Sequence, residues 1–244
     1  MARRKAEPEE QKPRRRPRAD RRPVRWLLRW TRRAVVFCLV MIATLILIYS
    51  KVNPPTTLTM LEERRQRGSV QHFWVSMDDI APVMARSVVA AEDANFCRHW
   101  GFDVKAIKMA MADGAVRGAS TLSQQVTKNV FLWQGRSWIR KVLEAGLTPL
   151  VELVWSKRRI VEVYLNVAEM GPGIFGVGAA AKAYFNTTPD RLTARQAAQL
   201  AAVLPDPKRR DPANPTQWLK KRAARIADGA ATIAADGRAA CFED

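Results

Sequence analysis

EDANFCRHWG, Glu92 to Gly101, and GASTLSQQVTKN, Gly118 to Asn129, stand close together in the middle third of this 244-residue chain. The first puts a carboxylic acid at the end of an apolar helix. Pro82 suits a first helical turn, Met84, Val88 and Ala91 follow at helical spacing, and Glu92 closes the run. The second gathers small residues, hydroxyls, two amides and a lysine. Ser120, Thr121, Gln124, Gln125 and Asn129 offer groups suited to sugar and phosphate oxygens, and Gly118 lets a ligand approach the backbone. Lys128 supplies positive charge. Together the segments describe a site where a carboxylate moves a proton beside a bound anion.

Helical patterns continue on both sides. Ser137 caps a helix whose apolar positions Ile139, Val142, Leu143, Leu147, Leu150, Val151 and Val154 keep a 3.6-residue stripe. Arg140, Lys141 and Glu144 fall off that stripe, and Pro149 predicts a kink. Thr193 and Gln196 form a T-x-x-Q capping box, with Leu192 placed to staple against Ala197. That helix passes Leu200 and Leu204 and stops before Pro205. The Ala-rich tail is partly helical. Val70 to Val75 is the best strand candidate. The class is mainly α.

Charge divides the chain. Of a net charge of +18, residues 1–33 carry 14 Lys/Arg against 4 Asp/Glu. Residues 1–25, rich in Arg and Pro, cannot bury enough apolar surface to fold alone. The uncharged run Ala34 to Tyr49 follows, extended by Leu27, Leu28 and Trp30. Residues 26–50 therefore read as a transmembrane anchor, with the arginine excess holding the N-terminus in the cytoplasm. A cleaved signal peptide is disfavoured because no small-residue cleavage site follows. A nucleic-acid role for the arm is disfavoured because orientation and anionic lipid explain its charge. Residues 51–68 read as a linker and 69–244 as the catalytic domain. Every candidate site residue follows Val75, so the segment before residue 51 should be separable from the site. Cys38, Cys97 and Cys241 show neither a disulfide framework nor metal spacing; they read as small apolar fillers.

Three more segments complete a series: RSWIRKVLEA at Arg136 to Ala145, SKRRIVEVYLN at Ser156 to Asn166, and GPGIFGVGAAAKAYF at Gly171 to Phe185. The five in this order resemble the motifs of the peptidoglycan glycosyltransferases, and most of all the monofunctional biosynthetic transglycosylases. The resemblance implies a lysozyme-like domain with a small membrane-proximal lobe after one N-terminal transmembrane helix. It also implies polymerisation of lipid II at the outer face of a bacterial inner membrane. The donor's polyprenyl diphosphate leaves as an acceptor GlcNAc 4-hydroxyl attacks C1 with inversion, giving a β-1,4 strand. The implied partners are lipid II, the nascent glycan strand, the membrane and other wall-synthesis proteins.

That reaction needs a base and cations. Glu92, at a helix end beside Phe96, is the candidate base, because partial burial raises a carboxylate pKa toward the working pH. Asp93, Phe96 and His99 read as its support. By resemblance Lys128 and Arg136 bind the diphosphate. Arg140 and Lys141 either join them or pair with Glu144. Glu162, the second carboxylate, shares a helix face with Asn166. It orients the donor, holds a cation, or forms an ion pair with Arg158 or Arg159. The sequence requires no cofactor and leaves a divalent cation open.

Gly171 to Gly176 matches GxGxxG, but a helical pattern precedes it and Asp190 lies in a turn, so a dinucleotide site does not follow. The absence of Ser-x-x-Lys and Lys-Thr-Gly excludes transpeptidase chemistry from this sequence. A lysozyme-like glycan-cleaving enzyme also needs one glutamate, but it has no diphosphate leaving group to stabilise with Lys128 and Arg136. An inactive membrane scaffold has no use for an intact first motif.

Overall fold

The computed structural model describes residues 22–112, 120–135 and 137–243, with side chains from residue 26 onward. The basic arm before residue 22, Gly118 and Arg136 lie outside the described residues. The chain divides into two compact units, residues 1–41 and 42–244. Helix α1, Arg22–Tyr49, is the described part of the first unit and continues into the second with its last two turns. Its stretch Trp26–Tyr49 is 24 residues of high hydropathy, roughly 36 Å at about 1.5 Å per residue. That is long and apolar enough to cross the ~30 Å core of a membrane.

In the second unit Thr57 caps α2, Leu58–Arg67, by accepting the Met60 amide at 3.2 Å. This corrects the reading of 51–68 as a linker. The run Glu62-Glu63-Arg64-Arg65 looks solvated, yet Glu63 is buried between Arg67 and Lys208. Within Val70 to Val75 only β1, Gln71–His72, forms a strand. It pairs in parallel with β3, Ile174–Phe175, and β2, Glu169–Gly171, pairs antiparallel with β3. The remaining elements are helical: α3 (Pro82–Glu92), a 3-10 turn (Phe96–Arg98), α4 (Val104–Ala112), α5 (Leu122–Phe131), α6 (Trp138–Val154), α7 (Lys157–Val167), α8 (Gly176–Phe185), α9 (Ala194–Val203), α10 (Gln217–Ala235) and α11 (Ala240–Glu243). Helices α3, α9 and α10 pack together, and α5 lies between α6 and α7. Phe96, Met84, Leu122, Ile160, Leu165, Phe175, Leu200 and Phe242 are fully buried, each contributing about 1.5–3 kcal/mol.

The Thr193–Gln196 capping box forms as the sequence predicts. The α6 stripe splits. Leu147 and Val151 are buried, but Ile139, Val142, Leu143 and Leu150 are exposed, and the inward face carries Glu144, Thr148 and Glu152. Those polar groups are held inside by partners: Glu152 by Ser123 and by Lys157 at 2.8 Å, and Thr148 by the Glu144 carbonyl at 2.7 Å. Periodicity located the helix without saying which surroundings its stripe meets. Pro149 sits inside α6, which continues to Val154.

Asn166 clasps β1's neighbour. Its Oδ1 accepts the Val75 amide and its Nδ2 donates to the Val75 carbonyl, both at 2.8 Å. The GxGxxG glycines serve this packing. Gly176 has φ +77°, and a Cβ there would lie 2.6 Å from the Asn166 carbonyl oxygen; a Cβ on Gly171 would strike the Tyr184 hydroxyl.

The cysteine reading is overturned. Cys97 and Cys241 form a disulfide across 144 residues, with Cα atoms 5.7 Å apart, and Cys38 is a free thiol. Nothing local in the sequence announces this pair; α11 folding against the Phe96–Arg98 turn creates it.

Division at residue 51 is also corrected. Ile46 is 1% exposed, and the Trp155 indole donates to its carbonyl at 2.7 Å. Arg159 reaches the carbonyls of Tyr49 and Val52 at 3.1 and 2.8 Å. A fragment of residues 42–244 should keep full-length stability. One starting at residue 51 should lose about 2–5 kcal/mol, the range for deleting a large buried side chain, as measured by denaturant titration. Gly176→Ala should cost at least about 1–2 kcal/mol from the left-handed backbone alone, measured the same way.

Candidate active site

Glu92 ends α3, where Asp93 is the C-cap. The Gln125 side chain, from α5, donates Nε2–H to Glu92 Oε2 at 2.9 Å. Tyr164, from α7, donates its hydroxyl to Gln125 Oε1 at 3.2 Å, which fixes the amide so that its NH2 faces the carboxylate. Burial raises the Glu92 pKa; the Gln125 hydrogen bond and the charges of Arg222 and Lys128 oppose that rise, and Asp93 adds to it. Burial, with the Glu92 charge beside it, also keeps Tyr164 well above the usual phenol range, so it stays a donor.

Asp93 organises the surroundings. One oxygen accepts the Leu122 amide at 2.9 Å, at the start of α5, and the other binds His99 Nε2 at 2.8 Å. Phe96 packs edge-on against His99. Lys157 lies over the Phe96 ring and donates to the His99 carbonyl at 2.9 Å. Asp93, Phe96 and His99 thus form one packed, hydrogen-bonded group beside Glu92.

Thr121 and Gln124 differ from the expectation of ligand binding. Both are buried in a capping box at the head of α5, and the Thr121 hydroxyl donates to the Gly101 carbonyl at 2.7 Å. Their T-x-x-Q spacing is the one read at Thr193–Gln196, so the signal was present here too. Beyond this cap, Gln125 and Lys128 share one face of α5 at i and i+3.

Arg140 binds the buried Glu144 at 2.5 Å, and Lys141 binds it too. Of the two alternatives for these cations, the pairing with Glu144 is formed. Lys141 also reaches the Ser120 hydroxyl at 3.3 Å. Lys128 completes the cluster. Burial lowers its pKa, Glu144 raises it, Arg140 and Lys141 lower it, and Glu92 raises it. Three cations surround the one carboxylate of Glu144, and Lys128 among them acts on Glu92.

Glu162 is elsewhere. It pairs with Arg159 at 2.8 Å and accepts the Met77 amide at 3.4 Å, in the network that holds Tyr49, Val52 and Asn53. The carboxylate among the cations is Glu144. Asn166, on the same face, donates to the Glu162 backbone carbonyl at 2.9 Å while it clasps Val75.

Two cavities flank the Glu92–Gln125 pair. One of about 270 Å³ is lined by Glu92, Asp93, Asp103, Ser120 and Thr121. Another of about 330 Å³ is lined by Gln125, Lys128, Asn129, Tyr164, Glu169 and Lys208. Asn129 accepts Gln134 at 3.2 Å there. Among the described residues no three His, Cys, Asp or Glu side chains gather as a metal site. Sequence reasoning missed Tyr164, although it lies within the fourth quoted segment, and Arg222, which α10 delivers from a tail with no local signal.

Comparison with known proteins identifies the family. The Transglycosylase family profile matches residues 58–231. The chain is 58% identical over 218 residues to the biosynthetic peptidoglycan transglycosylase of Jannaschia sp. (strain CCS1), covering 89% of this chain and 90% of the relative. It is 51% identical over 197 residues to that of Pectobacterium atrosepticum, covering 74% and 80%. A mainly helical, lysozyme-like domain with a carboxylate set against clustered cations therefore belongs to the transglycosylase family, and the chain is a peptidoglycan glycosyltransferase.

Proposed function

We propose that this enzyme polymerises lipid II, with Glu92 as the general base and the Lys128–Arg140–Lys141 cluster as the diphosphate site. Glu92 takes the proton of the acceptor's GlcNAc 4-hydroxyl. The oxygen attacks donor C1 from the face opposite the α-linked diphosphate, the C1–O bond breaks, and C1 inverts to a β-1,4 linkage. Charge developing on the leaving diphosphate meets cations fixed in a partly desolvated site, where electrostatic stabilisation is most effective. Arg136, eight positions after Lys128, keeps the diphosphate role its motif implies. Glu144 restrains Arg140 and Lys141, so that they are held in place before substrate arrives.

One observation carries the lipid-linked reading over glycan cleavage. Helix α6 presents the cations and a bare apolar surface together: Trp138 is 86% exposed, Ile139 70% and Val142 66%. Met109 and Met111 of α4 are exposed too. Apolar area of this kind marks a lipid or interaction surface. It suits a substrate whose diphosphate joins a sugar to a hydrocarbon chain, and a hydrolase of water-borne glycan needs neither feature.

Orientation has two supports. Arginines precede the apolar span, and a disulfide in the domain persists in an oxidising compartment. Both favour a catalytic domain on the periplasmic side of the inner membrane.

Detergent-solubilised enzyme incubated with lipid II should yield a ladder of glycan strands and should leave purified sacculi intact. Degraded sacculi with no polymer would reverse the reading. Glu92→Gln keeps shape but cannot accept a proton; it should reduce polymerisation by about 10² to 10⁴, with binding of a lipid II analogue nearly unchanged. Lys128→Ala should lower kcat by roughly 10² or more, the scale for removing one group that stabilises transition-state charge; near-normal turnover would place the diphosphate elsewhere. The pH dependence has a definite sign. A base must be ionised, so the rate falls as pH drops through the raised Glu92 pKa. Gln125→Leu removes a hydrogen bond that favours the ionised form, so the acidic limb of the kcat profile should move to higher pH; a shift to lower pH would assign that limb to another group.

A further inference from the structure

We propose that the Cys97–Cys241 bond is a positioning strap, holding the turn behind Glu92 so that full polymerisation rate requires the oxidised protein. The proposal rests on Glu92 and α5 forming the active site described above.

Helix α11 is only four residues long, too short to hold its own helical turn without tertiary contacts. It is nonetheless docked on the back of the first motif. Phe242 is fully buried, with its ring 6.4 Å from that of Phe96. Arg158 Nη1 donates to the carbonyls of Phe242 and Glu243 at 3.3 and 3.1 Å, and Arg86 binds the Glu243 carboxylate at 2.6 Å. Arg238, just before α11, donates to the Ala94 carbonyl at 3.0 Å. The tail thus grips Ala94, Phe96 and Cys97, which lie between Glu92 and His99. That turn holds His99 through Phe96, His99 binds Asp93, and Asp93 fixes the Leu122 amide that opens α5. Gln125, which contacts Glu92, is one turn further on.

Apart from the disulfide, the tail is held by the burial of Phe242 and Ala239, by packing of α11 on α7, and by part-exposed arginines. Exposed ion pairs add little each. A cross-link that closes a loop of this length restricts the loosened chain strongly. Cys97 and Cys241 are only partly buried residues. A dithiol reagent attacks one sulfur, forms a mixed disulfide, and closes to its own cyclic disulfide. Two electrons and two protons pass to Cys97 and Cys241, which become thiols. Glutathione disulfide reverses this and leaves as two glutathione thiols.

The test uses full-length protein in detergent at 25 °C, oxidised and then reduced with dithiothreitol. The readouts are lipid II turnover, amide hydrogen exchange and thermal melting. The reduced protein should stay folded. Its Leu122 amide should exchange roughly tenfold faster or more, as a locally opened segment does. Its kcat should fall roughly ten- to a hundredfold, the scale of a misplaced catalytic group, with KM changed much less. Glutathione disulfide should restore both. Cys97→Ser/Cys241→Ser should behave as the reduced protein and ignore reductant, while Cys38→Ser should respond as wild type. If reduction unfolds the protein, Cys97→Val/Cys241→Leu, which keeps apolar packing without the bond, is measured against the same criteria. Leu122 exchange as slow as in the oxidised protein overturns the proposal, whatever the rate does. A lowered melting temperature with unchanged kcat and unchanged exchange overturns it too and leaves a merely stabilising bond. Oxidised wild type that makes no polymer would defeat the functional reading, while Leu122 exchange would still decide the strap.

Discussion

Asp93 places one carboxylate oxygen on the Leu122 amide and the other on His99, at 2.9 and 2.8 Å. This small bridge joins the end of α3 to the beginning of α5, two helices far apart in sequence that must meet for the site to exist. Because Leu122 opens α5, fixing its amide sets where the next turn falls. Gln125 then meets Glu92, and Lys128 one turn on faces the cations of α6. The bridge is buried and both Asp93 oxygens are paired, and a paired buried carboxylate specifies one arrangement where an unpaired one would weaken the core.

Around that bridge the fold reconciles opposing demands. A base needs enough burial to raise its pKa yet must remain ionisable. Burial at the end of α3 acts one way, and the Gln125 amide with Arg222 and Lys128 acts the other. The cations of the proposed diphosphate site must be close together although they repel. Glu144, buried beneath Arg140 and Lys141, holds them. Helix α6 must pack against α5 while leaving apolar side chains outside. It does so by turning a polar face inward, with Glu152 satisfied by Ser123 and Lys157.

Much of this was readable in the sequence because it is local. Pro82, the 3.6-residue spacing that ends at Glu92, the Ser137 cap and the Thr193–Gln196 box each act within a few residues, and each formed. The five ordered segments pointed to the family that the comparisons show. What failed was non-local. The α6 stripe looked like a core face because periodicity reports pattern and not surroundings. Helix α2 looked like a linker because Glu63 finds Lys208, 145 residues away. Cys97 and Cys241 looked like fillers because only the docking of α11 unites them. Glu162 looked like the second site carboxylate, yet its partner Arg159 serves the end of α1. Thr121 and Gln124 were legible as a cap, but the chemistry suggested by their neighbours obscured it.

If Asp93 registers α5 against Glu92, Asp93 and Gln125 act as one unit in catalysis. A double-mutant cycle on kcat for Asp93→Ala and Gln125→Leu, with folding checked by circular dichroism, measures this directly. The account predicts strong non-additivity: once Asp93 is gone, losing Gln125 should cost little more, with a coupling above about 0.5 kcal/mol, the level that separates interacting from independent sites. Additive effects of the two substitutions would contradict it.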